Sequence, residues 1–349
     1  LASLNSSDTL CAMLAVKEAL ASQQDHKLDQ LAGLNKAAAD GLRLKVLQLL
    51  KENSFGVLEL ADIFSISQSR LSHHLKILAS AGLVTTRREG NSIFYRRALS
   101  DAQKDGFENI RQTLFDCIDK QTLSGKDRQA VEQIYTERAR QSRSFFERHA
   151  GQFTEVQDLI AGYEQYADSL DEIIQTLGLE SRSTVMEVGP GQGGFLKPLS
   201  QRYERVIALD NSPAMLDLAK QQTDSKQQNI DFLLGDPEWA VSQNISVDFL
   251  AFNMVMHHIP SPKDILQQCS QLLTDEGYLL ITDLCPHDQD WVKSSCGDLW
   301  LGLDPQDLKQ WAKSAGLSHK QQIILGMRNG FQVQIQVFQL TNPILHTQD

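Results

Sequence analysis

Apolar residues recur along this chain in two different rhythms. In the first part they fall at Leu31, Leu34, Leu42, Val46, Leu49 and Leu50, a spacing that predicts helix between Leu31 and Leu50. Val57 to Phe64 predicts a second, short helix with Leu58, Ala61 and Ile63 available to a core. After a break at Ser65 to Ser67, Leu71, Leu75 and Leu78 stack on one face of a third helix, with Ser67 as its N-cap and Gly82 as its stop. Leu83 to Arg88 and Ser92 to Arg97 then predict a β-hairpin with Gly90 and Asn91 at its tip. From about Asp101 to Thr176 the pattern is polar and helical. An early stripe of Phe107, Ile110, Leu114, Phe115 and Ile118 suits a dimer seam or an intramolecular one, and Leu123 to Asp127 reads as a hinge.

Beyond residue 179 the rhythm changes. Short, nearly continuous apolar runs alternate with helical patterns: Val185–Val188, Val206–Leu209, Ile230–Leu234, Val247–Phe252, Tyr278–Thr282, Gln321–Leu325 and Phe331–Leu340. Runs of that kind are parallel strands covered on both faces, so a doubly wound α/β sheet is expected. Only Gly326 to Gly330 joins the last two, which predicts an antiparallel hairpin at the end of the chain.

Length and composition agree with two domains. The chain has 349 residues, 41% hydrophobic and 22% charged, too long for one ordinary core and typical of a soluble globular protein. No apolar stretch reaches the ~18 residues of a membrane span. Leu1 to Thr9 has neither the basic nor the apolar region of a signal peptide, and the lack of an initiator Met suggests truncation. Five scattered cysteines argue against a disulfide scaffold, so a cytoplasmic protein is expected. The net charge of −11 conceals a split: residues 31–100 hold ten Lys/Arg and five Asp/Glu, while the remainder holds 23 and 39. One segment is suited to a polyanion and the other is not.

The basic segment carries the matching chemistry. Gln68, Ser69, Arg70, Ser72, His73 and Lys76 remain outward on the third helix, short polar groups near its start with cations behind, as major-groove reading requires. Arg87, Arg88, Asn91 and Arg96 on the hairpin suit phosphate or minor-groove contact. The stretches SQSRLSHHLKILASAGLV and RREGNSIFYR resemble the recognition helix and wing of ArsR/SmtB-type winged-helix repressors, over roughly residues 30–120. That resemblance implies a homodimer on a pseudo-palindromic, double-stranded DNA operator. The chain departs from the metal-sensing members. Val57 to Asp62 has no thiol, no histidine falls between His74 and His149, and His73 and His74 diverge by about 100° on a helix. No metal site is expected.

In the second part the first strand runs into Glu187, Gly189, Pro190, Gly191, Gly193 and Gly194 before a helix, a loop that lets a ligand approach backbone N–H groups. With Asp210 closing the second strand, the glycines alone also satisfy a dinucleotide pattern. Glu187 would repel a pyrophosphate but suits a cationic amino-acid group, and Asp236 after the third strand can accept from an adenine amino group. The stretches VMEVGPGQGGFL, VIALDNSPAMLDLAK, FLLGD, DFLAFNMVMHHIPSP and LLTDEGYLLITDL resemble the successive motifs of class I S-adenosylmethionine-dependent methyltransferases, over roughly residues 140–340. The resemblance implies that Glu187 and the glycines receive the methionine part and Asp210 the ribose. It places Asp236 and Pro237 (or Glu238) at the adenine, Asn211 and Met215 beside the adenosine, and Asn253 and Met254 near the sulfonium. His257 and His258 are weak candidates for a base at the cleft mouth. Nothing resembles the Asn-Pro-Pro-aromatic element of enzymes that methylate base amino groups. Cys269, Cys285 and Cys296 have no convincing arrangement for arsenite, and the segment from His287 to Gly316, with Trp291 and Trp300, is expected to cover the acceptor side.

The expected fold is therefore multidomain: a mainly α, N-terminal winged helix-turn-helix and a C-terminal α/β doubly wound, Rossmann-like methyltransferase sheet with an antiparallel terminal hairpin. The partition is a helical extension (1–30), a DNA-binding and dimerisation domain (31–120), a helical connector (121–178), a methyltransferase-like domain (179–341) and a tail (342–349). Taken together, the two resemblances are similar to S-adenosylhomocysteine-responsive regulators of methionine-cycle genes. They imply a cytoplasmic repressor with S-adenosylmethionine or S-adenosylhomocysteine as effector, or alternatively an active small-molecule methyltransferase with an autoregulatory DNA-binding domain.

Overall fold

The computed structural model describes residues 27–51, 53–89, 92–98, 106–149, 159–223 and 228–341. The expected extension (apart from residues 27–30), the C-terminal tail and Asn91 at the wing tip lie outside them. The chain divides into two compact units, residues 1–88 with 92–131 and residues 89–91 with 132–349.

In the first unit the helix expected from Leu31 to Leu50 is two helices, α1 over residues 27–38 and α2 over Gly41–Leu49. Asp40 makes the break: its carboxylate accepts from the Arg43 N–H at 3.0 Å and caps α2. The Arg43 guanidinium turns back to the end of α1, donating from Nε to the Ala37 carbonyl at 2.7 Å. Helix α3 (Val57–Phe64) turns at Ser65, in the left-handed region at φ 54°, into α4 (Gln68–Ser80). Leu60, Ala61 and Ile63 are buried, but Leu58 is 61% exposed, a correction to the expected core face. In α4, Leu71, Leu75 and Leu78 are fully buried as the periodicity requires, and Ser67 caps the helix through the Arg70 N–H. Strands β2 (Val84–Glu89) and β3 (Ser92–Arg97) form the wing, and β1 (Phe55–Gly56) adds a third strand by pairing with β3. Helix α5 (Glu108–Asp119) buries Phe115 and Ile118 within this unit and leaves Ile110 exposed.

Helix α6 (Gly125–His149) begins where a hinge was expected, Ser124 accepting from the Asp127 N–H at 3.1 Å, and runs uninterrupted through the division at residue 131. Asp127 pairs with Lys45 of α2 at 3.4 Å.

The second unit is a seven-stranded sheet. Its strands are β4 (Thr184–Val188), β5 (Arg205–Asp210), β6 (Ile230–Leu234), β7 (Val247–Asn253), β8 (Leu273–Leu284), β9 (Leu317–Gly326) and β10 (Gln332–Leu340), in the order β6-β5-β4-β7-β8-β10-β9. The first five are parallel, and β10 pairs antiparallel with both β8 and β9. This is the doubly wound sheet with a terminal hairpin that the motif order implied. The central strands are almost wholly buried because helices return the chain across both faces. Reversal of strand order at β4 opens a crevice at the carboxyl ends of β4, β5 and β7.

Candidate functional site

The crevice is a cavity of about 340 Å³ in the second unit. Gly189, Pro190 and Gly191 form one wall, Asp210, Asn211 and Met215 the next, and Asp236 with Pro237 a third, while Asn253 and Met254 close the far side. Eleven of the predicted residues are thus accounted for by this wall or by a buried position behind it, since Glu187 sits at the end of β4, 1% exposed. Gly193 is different. A side chain there would meet Thr223 and the Ala219 carbonyl, so its freedom (φ +77°) serves the packing of the loop on α7 (Pro213–Gln222) rather than the cavity wall. At Gly189 (φ +68°) a Cβ would lie 2.8 Å from Val255, so only glycine allows the turn to close against the segment that follows β7.

Two buried acceptors stand out. Among the described residues Glu187 Oε2 and Asn253 Oδ1 have no hydrogen-bond partner, and they sit near the ends of neighbouring strands. Burial drives the Glu187 carboxyl well above the usual carboxylate range. An ammonium group, three donors and no acceptor, supplies what both oxygens lack. Asp210 accepts from the Ser212 N–H at 2.8 Å, and burial, only partly offset by that bond, raises its pKa to about 6. Asp236 caps the helix Pro237–Ser242 by accepting from the Trp239 N–H at 2.8 Å through one oxygen, leaving the other for a ligand. The residues present therefore fit an adenosyl amino-acid group.

Tyr163, Tyr166 and the α6 residues Ala139, Ser142, Arg143 and Phe146 also line the cavity. No motif marks them, because they reach the site from 20 or more residues before the glycine loop. His258 lines the cavity and His257 does not. His257 Nδ1 lies 2.7 Å from Asp283 Oδ1 and its Nε2 3.8 Å from Asp298 Oδ1. Against the pull of burial, those carboxylates raise its pKa to about 9. His257, His258 and Asp298 are, among the described residues, the group with metal-ligand spacing. However, His258 Nδ1 faces the Gly297 carbonyl, an acceptor, at 3.3 Å, and in that contact the nitrogen carries hydrogen rather than a lone pair for an ion. Trp300 is a packing residue, its indole N–H donating to the Ile259 carbonyl at 2.7 Å and the Arg138 guanidinium lying 4.8 Å over its ring. Trp291 packs edge-on to Phe331, and neither tryptophan lines the cavity. Burial raises the Cys285 and Cys296 thiols to about 11 and about 12, unsuited to reaction as thiolates.

In the first unit Gln68, Ser69, Arg70, Ser72, His73 and Lys76 are all exposed on α4, forming one polar face. Arg88 is exposed, and Arg87 and Arg96 are partly so. Arg97, next in the same hairpin, is not part of that face. It is buried, donates to the Leu47 carbonyl at 2.7 Å and pairs with Asp119 at 2.8 Å.

Comparison with known proteins finds one match in each of the two units. Residues 40–86 match the family of bacterial regulatory proteins called the arsR family, and residues 162–322 match a methyltransferase-domain family. The arsenical resistance operon repressor of Staphylococcus aureus is 34% identical over 98 residues, which are 28% of this chain and 94% of that protein. A ubiquinone biosynthesis O-methyltransferase of Coxiella burnetii is 24% identical over 146 residues, 38% of this chain. The chain spans 62% of that relative's length. A solved S-adenosylmethionine-dependent methyltransferase of Aquifex aeolicus aligns over 54% of this chain and 98% of its own, with 17% identity and a TM-score of 0.41.

Proposed function

Since the chain belongs to the arsR family of bacterial regulatory proteins and carries a methyltransferase domain in the same polypeptide, we propose that it is a transcriptional repressor gated by an adenosyl amino acid. It acts as a homodimer on a double-stranded operator, with the exposed face of α4 in the major groove and the wing arginines on the backbone. S-adenosylmethionine or S-adenosylhomocysteine is the effector. The observation that carries this reading is the pair of buried, unpaired oxygens of Glu187 and Asn253 beside a glycine loop, with Asp210 at the next strand end. Methionine-cycle genes are the natural targets of such a sensor.

Helix α6 supports the coupling: Gly125–Val131 belongs to the first unit, while Ser142, Arg143 and Phe146 further along line the cavity of the second. Ligand shifts DNA affinity only if it binds the two DNA-affinity states unequally, and a tenfold shift needs about 1.4 kcal/mol of difference. Operator affinity measured without ligand, with S-adenosylmethionine and with S-adenosylhomocysteine tests this; three equal affinities would end the proposal. A second reading, an active methyltransferase whose DNA-binding domain controls its own genes, is favoured by one observation, the imidazole of His258 on the cavity wall.

A further inference from the structure

The two neighbouring histidines of the Met256–His258 turn have opposite characters, although their ring centroids are only 4.0 Å apart. His257 stands behind the cavity wall with Nδ1 against Asp283, and although burial lowers its pKa, the carboxylates of Asp283 and Asp298 outweigh that and raise it. His258 faces the cavity. Its Nδ1–H is spent on the Gly297 carbonyl, which leaves the lone pair on Nε2. The ring is held from α6: Phe146 meets it edge-on at 4.9 Å, and the Ser142 hydroxyl donates to the His258 carbonyl at 3.3 Å. Burial, and after it the neighbouring His257, push its pKa well below the ordinary range, which favours the neutral ring.

We propose that His258 is the general base of a working transferase whose methyl acceptor is a phenolic hydroxyl. The proposal rests on the reading that this cavity takes S-adenosylmethionine. Phe146, Tyr163 and Tyr166 give the cavity aromatic walls that suit a planar ring. Arg143 on the wall disfavours a cationic amine acceptor and favours an oxygen that gains negative charge. In the step, the acceptor oxygen forms a bond to the methyl carbon as the carbon–sulfur bond breaks and its pair stays on sulfur. The hydroxyl proton passes to Nε2, so the positive charge of the sulfonium ends on the imidazole. A weak base suffices, because the hydroxyl proton becomes strongly acidic as the oxygen–carbon bond forms.

The test uses the full chain with ¹⁵N-labelled histidine, and phenol, catechol and 4-hydroxybenzoate as probes. With S-adenosylhomocysteine bound, at least one phenol is expected to shift the Nε2 resonance of His258, assigned by its loss in His258→Gln. With S-adenosylmethionine the same phenol yields its methyl ether, and His258→Gln lowers kcat by about 100-fold or more while affinity for S-adenosylhomocysteine is unchanged. If the nucleoside binds but no phenol shifts the resonance or is methylated, the inference is overturned and the effector reading stands. Full kcat in His258→Gln, or a stoichiometric metal ion lost in that variant, overturns it as well. Failure of either nucleoside to bind would instead remove the reading on which it rests.

Discussion

Glu187 and Asp210 stand one strand apart and are both shifted upward by burial, yet they answer differently to ligand and pH. Burial favours the protonated form of the Glu187 carboxyl, whose Oε2 has no hydrogen-bond partner among the described residues. An arriving ammonium restores the carboxylate, so binding of S-adenosylhomocysteine releases up to one proton. Calorimetry in two buffers of different ionisation enthalpy measures this, and an identical heat in both contradicts it. Glu187→Gln weakens binding by about 2 kcal/mol, the magnitude of a charge-assisted hydrogen bond. Asp210 must be ionised to accept two ribose hydroxyls, so affinity declines as pH falls through about 6. For folding the sign is opposite. Between its unfolded value of 3.8 and its folded value of about 6 the native state binds the extra proton, so this group's contribution to stability falls as pH rises through that window. Melting of ligand-free Asp210→Asn is expected to show a weaker dependence over the same range. Both acids were visible in the sequence as strand-end residues. Their altered proton affinity was not, because it depends on what surrounds them.

At the scale of elements, neighbouring arginines in one hairpin do different work. Arg97 lies over the Phe115 ring at 4.4 Å and pairs with Asp119, tying the wing to α5. Arg97→Ala leaves that carboxylate without its main partner and costs about 3 kcal/mol, read as a lowered denaturant midpoint. Arg70→Ala on the exposed face of α4 changes stability by less than about 0.5 kcal/mol but weakens operator binding. It also lowers the slope of log affinity against log salt by about 0.9 for one lost phosphate contact. A reversed pattern in either variant contradicts these assignments. The helices and strands were largely legible from apolar spacing, down to the Ser67 cap. Periodicity missed the interruption at Asp40, because both sides of it share one apolar face and only the cap and the Arg43 bonds mark the break. It also missed β1, since two residues carry no rhythm.

At the scale of the whole molecule, helix α6 begins in the unit that matches the arsR family and continues into residues that line the cavity of the second unit. A two-glycine insertion between Val131 and Glu132 is expected to preserve S-adenosylhomocysteine binding and operator binding separately while abolishing the effect of one on the other. Coupling that survives the insertion would show that α6 is not its route. The sequence by itself determined the two-unit order, the hairpin and the capped helix α4 before it, and the strand-end acids, because each rests on local spacing within a few turns or strands. Only the tertiary structure decided that Arg97 is a tie rather than a DNA contact, that Gly193 serves packing, and that His258 rather than His257 meets the cavity. It also brought α6 and the Tyr163–Tyr166 turn to the site. Those outcomes depend on partners tens of residues away, such as Asp119, Thr223, Asp283 and Asp298. Burial and charge pairing at that range leave no periodic mark on the chain.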